Sequence, residues 1–209
     1  MSEQESSICV LCPSRGLTFT RTEIFIDQIR EKFNTKIIRT YDKKIPEAHN
    51  WLVQEALKSK AEFFLFLEED MVPSIQGISE LVKQDTDIAF IDYGVNGYSC
   101  SARDKSGKIL WAGLGCTLVK RKVFEKLDKP WFRTDKVLRL NDMKWLDQEA
   151  KYGGQDIWFY TQAREAGFKI VQVPGEAVHL GIKELGKSEV NNGLHPVFEK
   201  SKIKNLQII

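Results

Sequence analysis

The chain has 209 residues, of which 42% are hydrophobic and 29% charged, an ordinary composition for one globular domain. Its 31 basic and 29 acidic residues give a net charge of +2. This balance gives no overall basic surface for tight, sequence-independent binding to nucleic acid and leaves open only a local basic patch. No apolar run is long enough to span a bilayer, and the polar, acidic first seven residues do not resemble a signal peptide, so we expect a cytoplasmic protein.

The cysteines fit a reducing compartment. Cys9 and Cys12 have the C-x-x-C spacing of zinc and redox sites. Cys9 lies in a strand-like run, however, and residues three positions apart on a strand point to opposite faces. Cys100 and Cys116 supply no second closely spaced pair. We therefore expect thiols that act as small core residues.

The first half of the chain alternates short apolar strands with helical patterns. The predicted strands are 8–11, 36–40, 63–67 and 88–91, and the predicted helices are 20–33, 46–57 and 75–82. This order predicts a mostly parallel sheet with right-handed crossovers, flanked by helices. Ligands bind such sheets beyond the carboxyl ends of the strands, where residues 14–15 and 68–70 fall.

The second half is less regular. The patterns predict a strand and tight turn within 109–119, a short helix at 123–127, a loop-like stretch at 130–154, a helix at 156–166 and a strand at 170–173. No internal repeat is present, so one domain is the simplest organisation.

Three carboxylates, Glu68, Glu69 and Asp70, directly follow the most hydrophobic predicted strand. Without a cation, adjacent carboxylates repel one another and raise each other's pKa. A hard divalent ion such as Mg²⁺ or Mn²⁺ relieves that repulsion and can neutralise a departing diphosphate. A solvated acidic turn is the alternative interpretation. The position at the mouth of a parallel sheet favours a functional one.

The strand followed by an acidic triplet resembles the D-x-D motif of GT-A glycosyltransferases, above all small bacterial and phage family-2-like members. Further segments resemble that family in the same order along the chain: 12–15 (CPSR), 48–50 (AHN), 113–119 (GLGCTLV), 154–159 (GQDIWF) and 178–181 (VHLG). Each is weakly specific alone, and their joint order carries the resemblance. It implies a single Rossmann-like GT-A α/β domain over 1–186, with 187–209 as a C-terminal tail or lid of the same domain.

The sequence departs from the family pattern at three places. Glu stands for Asp at Glu68, His for Arg at His49, and Gln for Glu at Gln155. The first change is mild for a metal ligand, the second removes the contact of the family arginine, and the third removes one carboxylate but leaves Asp156.

The resemblance implies a metal site and a catalytic carboxylate. Asp70 would bind Mn²⁺ or Mg²⁺, with Glu68 acting directly or through water, and His179 would add a nitrogen ligand that suits Mn²⁺ better. A core or loop histidine is the alternative for His179. Asp156 is the candidate general base if the enzyme inverts the anomeric centre, and it would position the acceptor if the enzyme retains. A carboxylate near a helix N-terminus can also simply cap the helix.

The remaining candidate residues are assigned to substrate binding. Arg15 is a candidate for the diphosphate or base and Asp42 for a uracil-like base, although a surface arginine and a turn aspartate are equally ordinary. Lys183 is a candidate for closing over the phosphates. The other candidates lie in the matching segments or the acidic triplet: Pro13, Ser14, Asn50, Glu69, Gly113, Gly115 and Gln155. Tyr93, Trp111 and Trp158 can stack on a sugar or belong to the core.

The expected function is metal-dependent, hexosyltransferase-like transfer of a sugar from a nucleoside diphosphate donor, with a UDP-sugar as the leading candidate. The acceptor stays open among glycan, lipid, protein and modified DNA base. One alternative is a nucleotidyltransferase, although the loop at 13–16 is poor in glycine. Another is a non-catalytic nucleotide- or sugar-binding module of the same fold. No G-x-G-x-x-G follows the first strand, which argues against a Rossmann dehydrogenase.

Overall fold

The computed structural model describes residues 7–14, 16, 18–41, 43–95, 98–139, 144–148 and 154–180. Arg15, Asp42, Lys183 and the predicted tail or lid at 187–209 lie outside these residues, so their roles stay predictions.

The described chain alternates strands and helices. The strands are β1 (Ile8–Cys12), β2 (Lys36–Arg39), β3 (Phe63–Leu67), β4 (Met71–Pro73), β5 (Ile88–Phe90), β6 (Gly94–Val95), β7 (Tyr98–Ser99), β8 (Ser101–Arg103), β9 (Ile109–Ala112), β10 (Cys116–Lys120), β11 (Lys136–Arg139), β12 (Lys144–Asp147), β13 (Ile170–Gln172) and β14 (Ala177–His179). The helices are α1 (Thr20–Phe33), α2 (Glu47–Ala56), α3 (Ile75–Lys83), α4 (Arg121–Lys126) and α5 (Gln155–Glu165). None of these helices is long and apolar enough to cross a membrane.

A six-stranded sheet forms the centre of the fold, in the order β13-β5-β10-β3-β1-β2. β1 pairs in parallel with β2 and β3, and β13 pairs in parallel with β5, as the alternation of strands and helices predicts. β10 is inserted antiparallel between β3 and β5. The expected mostly parallel α/β sheet is therefore confirmed, with one strand reversed.

Helices cover both faces of this sheet, which explains why its central strands are almost wholly apolar. Alternate side chains of β1 enter two separate cores. Cys9 and Leu11 pack with residues of α2, α4 and α5, while Val10 and Cys12 pack with residues of α1 and α3. The two thiols of the C-x-x-C pair thus lie on opposite faces and are free, as predicted.

The segment predicted as loop-like, 130–154, contains a β-hairpin, so that prediction was wrong. β11 pairs antiparallel with β12, and Lys136 forms an ion pair with Asp147 across the hairpin. Trp145 of β12 packs edge-on against Trp158 of α5, with ring centroids 5.0 Å apart. These cross-strand and tertiary contacts have no local sequence signature, which is why the pattern alone missed the hairpin.

One edge of the sheet gathers the ends of several elements. The carboxyl ends of the parallel strands β1 and β3 lie there, and because β10 is antiparallel, its first residue Cys116 pairs with Leu67 at the same edge. The short β4 and β14 pair beyond the end of β3 as a separate ribbon. The fold thus directs the ends of these strands toward the place where ligands bind in open α/β sheets.

Candidate active site

The β4–β14 ribbon brings together two of the predicted metal ligands. His179 pairs with Met71 in the ribbon, and the Leu180 N–H donates to the Asp70 carbonyl at 2.7 Å. In this register His179 Nε2 lies 3.5 Å from Asp70 Oδ2. The two side chains are 20% and 15% exposed, so both are shielded yet reachable from solvent.

The first loop is tied to the acidic triplet by a buried hydrogen bond. Ser14 Oγ donates to Glu69 Oε2 at 2.7 Å, and both residues are buried. The Gly16 N–H donates to Ser14 Oγ at 3.0 Å, and the Ser14 N–H donates to Thr40 Oγ1 at 3.3 Å. Glu69 therefore faces inward and joins the loops after β1 and β3.

The Gly113–Gly115 turn between β9 and β10 packs around Tyr93. The Gly115 N–H donates to the Tyr93 hydroxyl at 3.2 Å. A Cβ atom at Gly113 or Gly115 would lie only 2.3 Å or 2.8 Å from that hydroxyl, so neither position admits a side chain unless the tyrosine moves. Burial, followed by the negative charge of Glu68, raises the pKa of Tyr93 well above its ordinary value.

Asp156 lies in the first turn of α5, whose N-cap is Gly154 in a left-handed conformation with φ of 91°. Asp156 Oδ1 accepts a hydrogen bond from the Ile157 N–H at 2.8 Å. Burial raises the pKa of Asp156 despite this bond and the other backbone donors of the turn. A base with a raised pKa is better matched to proton abstraction near neutral pH.

Gln155 is the residue before Asp156 and is 7% exposed. Its Oε1 atom is buried and accepts no hydrogen bond from the part of the chain that the structure describes. A buried amide oxygen without a donor is costly, so a ligand hydroxyl or N–H at this position would be favourable.

The 48–50 segment lies in the core. His49 is fully buried with its ring 5.9 Å from that of Phe66 and 5.1 Å from that of Phe132. The Asn50 side chain exchanges hydrogen bonds with the backbone of Phe132, at 2.9 Å to its carbonyl and 3.2 Å from its N–H. His49 is enclosed by aromatic side chains, and the side chain of Asn50 holds the segment after α4.

Asp70 and His179 could supply only part of the coordination shell of a metal ion, so a substrate and water would have to supply the rest. Among the described residues, no group of three or more His, Cys, Asp or Glu side chains is placed to hold an ion. Two donor atoms about 2.1 Å from one octahedral ion lie about 3 Å apart in adjacent positions. The Asp70 and His179 atoms are 3.5 Å apart, and the imidazole nitrogen suits Mn²⁺ better than Mg²⁺. Mg²⁺ often takes only one or two protein carboxylates, with water and phosphate oxygens completing its shell. Asp70 and His179 therefore offer two of the donors that a metal bound together with a phosphate group would need.

Sequence reasoning named Tyr93 as a sugar-stacking or core residue, and the structure buries it. Its contact with the Gly113–Gly115 turn and the pairing of β4 with β14 were missed. The tyrosine follows β5 at the ligand edge, and two glycines two positions apart mark the turn that it fills. That combination was the available signal. The β4–β14 ribbon gave no signal in the sequence, because a three-residue strand is too short for its alternation to be recognised.

Neither the scan against protein-family models nor the search of curated proteins found a match. Solved structures do match. A197 from STIV has a TM-score of 0.61 at 17% sequence identity, covering 84% of this chain and 86% of its own. A mutant of Drosophila β-1,4-galactosyltransferase 7, in complex with manganese, UDP-Gal and xylobiose, has a TM-score of 0.53 at 14% identity. That match covers 95% of this chain and 79% of the galactosyltransferase. The chain therefore has a GT-A-like fold, similar to that of glycosyltransferases.

Proposed function

We propose that the protein is a glycosyltransferase that takes a sugar from a nucleoside diphosphate donor, with a UDP-sugar as the first candidate. The observation that carries the proposal is the meeting of Asp70 and His179, 3.5 Å apart, beyond the end of β3. The manganese and UDP-Gal bound to the Drosophila galactosyltransferase, which shares the fold, support the same chemistry here.

Asp70 and His179 would hold Mn²⁺ or Mg²⁺, and Glu68 would act directly or through water. When bound, the ion supplies positive charge that stabilises the departing diphosphate. Ser14 and Glu69 hold the loops on either side of this position through their 2.7 Å hydrogen bond. They would keep the donor-binding edge in one geometry and so reduce the reorganisation needed during the reaction.

Asp156 would act on the acceptor. In an inverting reaction its carboxylate takes the proton from the acceptor hydroxyl as that oxygen bonds to the anomeric carbon and the bond to the diphosphate breaks. In a retaining reaction it would orient the acceptor. The buried Gln155 oxygen next to it would accept a hydrogen bond from a sugar hydroxyl or N–H.

Donor hydrolysis tests this function without knowledge of the acceptor. The protein is incubated with UDP-glucose, UDP-galactose or UDP-N-acetylglucosamine, with and without Mn²⁺, and released UDP is measured. We expect slow release from at least one donor, dependent on Mn²⁺ and abolished by EDTA. Asp85→Asn, a change at an exposed residue, is the matched control for Asp70→Asn. If the protein releases no UDP from these donors and binds no nucleoside diphosphate in the presence of metal, the proposal is overturned.

A further inference from the structure

We propose that Tyr93 is a positioning residue that holds the Gly113–Gly115 turn and the His179 ring together at the active-site edge. The inference rests on the proposed function, in which His179 is a metal ligand whose ring must be held in one orientation. It adds a residue that neither touches the metal nor reacts, and it explains why the turn contains two glycines.

The hydroxyl of Tyr93 fixes the turn. It accepts the Gly115 N–H at 3.2 Å, and its oxygen occupies the space that side chains at both glycines would need. The Gly113 N–H donates to the Cys100 carbonyl at 2.8 Å, and the Cys100 N–H donates to the Tyr93 carbonyl at 2.9 Å. The turn is thus attached to Tyr93 through both its hydroxyl and its backbone.

The ring of Tyr93 supports His179. The two rings are almost parallel, with 3° between their planes and 6.1 Å between their centroids, an offset stacked arrangement. Tyr93 is 9% exposed, so its ring has little freedom to move away. A residue that fixes the orientation of a histidine ligand typically changes metal affinity when it is lost.

Tyr93 contacts the turn through its hydroxyl and His179 through its ring. Two substitutions test these contacts separately. Tyr93→Phe removes the hydroxyl and keeps the ring against His179. Tyr93→Leu removes both. Tyr98, which is 79% exposed, provides the matched control substitutions Tyr98→Phe and Tyr98→Leu.

The experiment measures Mn²⁺ binding to the full chain by the loss of the free Mn²⁺ EPR signal, together with hydrogen exchange of the Gly115 amide. We expect Tyr93→Phe to bind Mn²⁺ like wild type while its Gly115 N–H exchanges faster. Tyr93→Leu should bind Mn²⁺ roughly tenfold more weakly or worse, measured well below its melting temperature. Both Tyr98 variants should match wild type in both measurements.

The outcomes separate this inference from the proposed function. Wild type that binds no Mn²⁺ would overturn the proposed metal site and the role of Tyr93 with it. Wild type and Tyr93→Leu that bind Mn²⁺ equally well would overturn only the role of Tyr93. If Tyr93→Leu fails to fold, an unchanged Gly115 exchange rate in Tyr93→Phe would still contradict the inference, and a faster rate would support it.

Discussion

His179 Nε2 lies 3.5 Å from Asp70 Oδ2 because β14, near the end of the described chain, pairs with β4, which directly follows the acidic triplet. The ribbon places an imidazole beside a carboxylate at the sheet edge where ligands bind in this class of fold. The proposed metal-assisted reaction rests on this pair.

Replacing Asp156 by Asn should raise stability and remove activity. Because burial raises the pKa of Asp156, the folded state binds a proton at this carboxyl more tightly than the unfolded state does. The stability that protonated Asp156 contributes is therefore lost as pH rises through its folded-state pKa. At neutral pH the ionisation of Asp156 opposes folding. We expect Asp156→Asn to melt at a higher temperature than wild type at pH 7, with the difference vanishing below about pH 4, the usual range of an aspartate pKa.

The same variant should lose roughly 10²- to 10⁴-fold in transfer rate if Asp156 is the general base. Scanning calorimetry across pH gives the melting temperatures, and Asp85→Asn controls for the general loss of one negative charge. A lower melting temperature for Asp156→Asn at pH 7 would show that the carboxylate stabilises the fold, as a structural cap does.

Gln155→Met tests whether the buried amide oxygen is kept for a ligand. Methionine has a similar shape but lacks the oxygen, and replacing an unsatisfied buried polar group by an apolar one is neutral or stabilising. We expect the free energy of unfolding in urea to stay equal or rise by about 1 kcal/mol, while KM for donor or acceptor increases. Gln162→Met on the same helix is the control. A loss of stability at Gln155 without a change in KM would count against a ligand role.

Ser14→Ala should destabilise the fold, because it removes a hydrogen bond from the buried Glu69 carboxylate. The expected cost is about 1–3 kcal/mol, the usual range for depriving a buried charged group of one partner. Ser79→Ala, which loses only a bond to the Ile75 carbonyl within α3, should change stability much less. Urea denaturation of both variants gives their losses in free energy of unfolding. Equal losses would mean that the Ser14–Glu69 hydrogen bond contributes little to stability.

His49 should make the protein less stable in mild acid. Burial lowers the pKa of His49 from 6.5 to about 4, so between these values the unfolded state binds more protons than the folded state. Stability is then lost as pH falls from about 6.5 to about 4, by at most about 3 kcal/mol from this residue. His49→Leu should flatten the pH dependence of the unfolding free energy over this interval. If the unfolding free energies of wild type and His49→Leu changed equally with pH, His49 would not be the cause of the acid sensitivity.

Much of the fold could be predicted from the sequence, because the central strands are buried on both faces and their apolar runs are continuous. α1 and β3 have the predicted bounds, and the other sheet strands of the first half differ by one residue at their ends. The reversed β10 and the β11–β12 hairpin could not be predicted, since the direction and partner of a strand depend on contacts distant in sequence.

The candidate site was accessible to sequence reasoning only in part. Asp70 and Asp156 follow recognisable patterns, but the approach of His179 depends on a three-residue ribbon. Glu69 was assigned to substrate binding, apart from the metal ligands assigned on either side of it, and the structure turns it inward to Ser14. The backbone conformation of a turn decides in which direction each side chain points. A run of three carboxylates in the sequence does not reveal that conformation.

Asp70 is proposed to hold a metal that recruits a nucleoside diphosphate. The most direct measurement is the melting temperature of wild type and Asp70→Asn with UDP, each with and without Mn²⁺, beside Asp85→Asn. UDP at about 100 times its Kd should raise the wild-type melting temperature by about 5–10 °C only when Mn²⁺ is present, and Asp70→Asn should lose that rise while staying folded. A full Mn²⁺-dependent rise in Asp70→Asn would contradict the account.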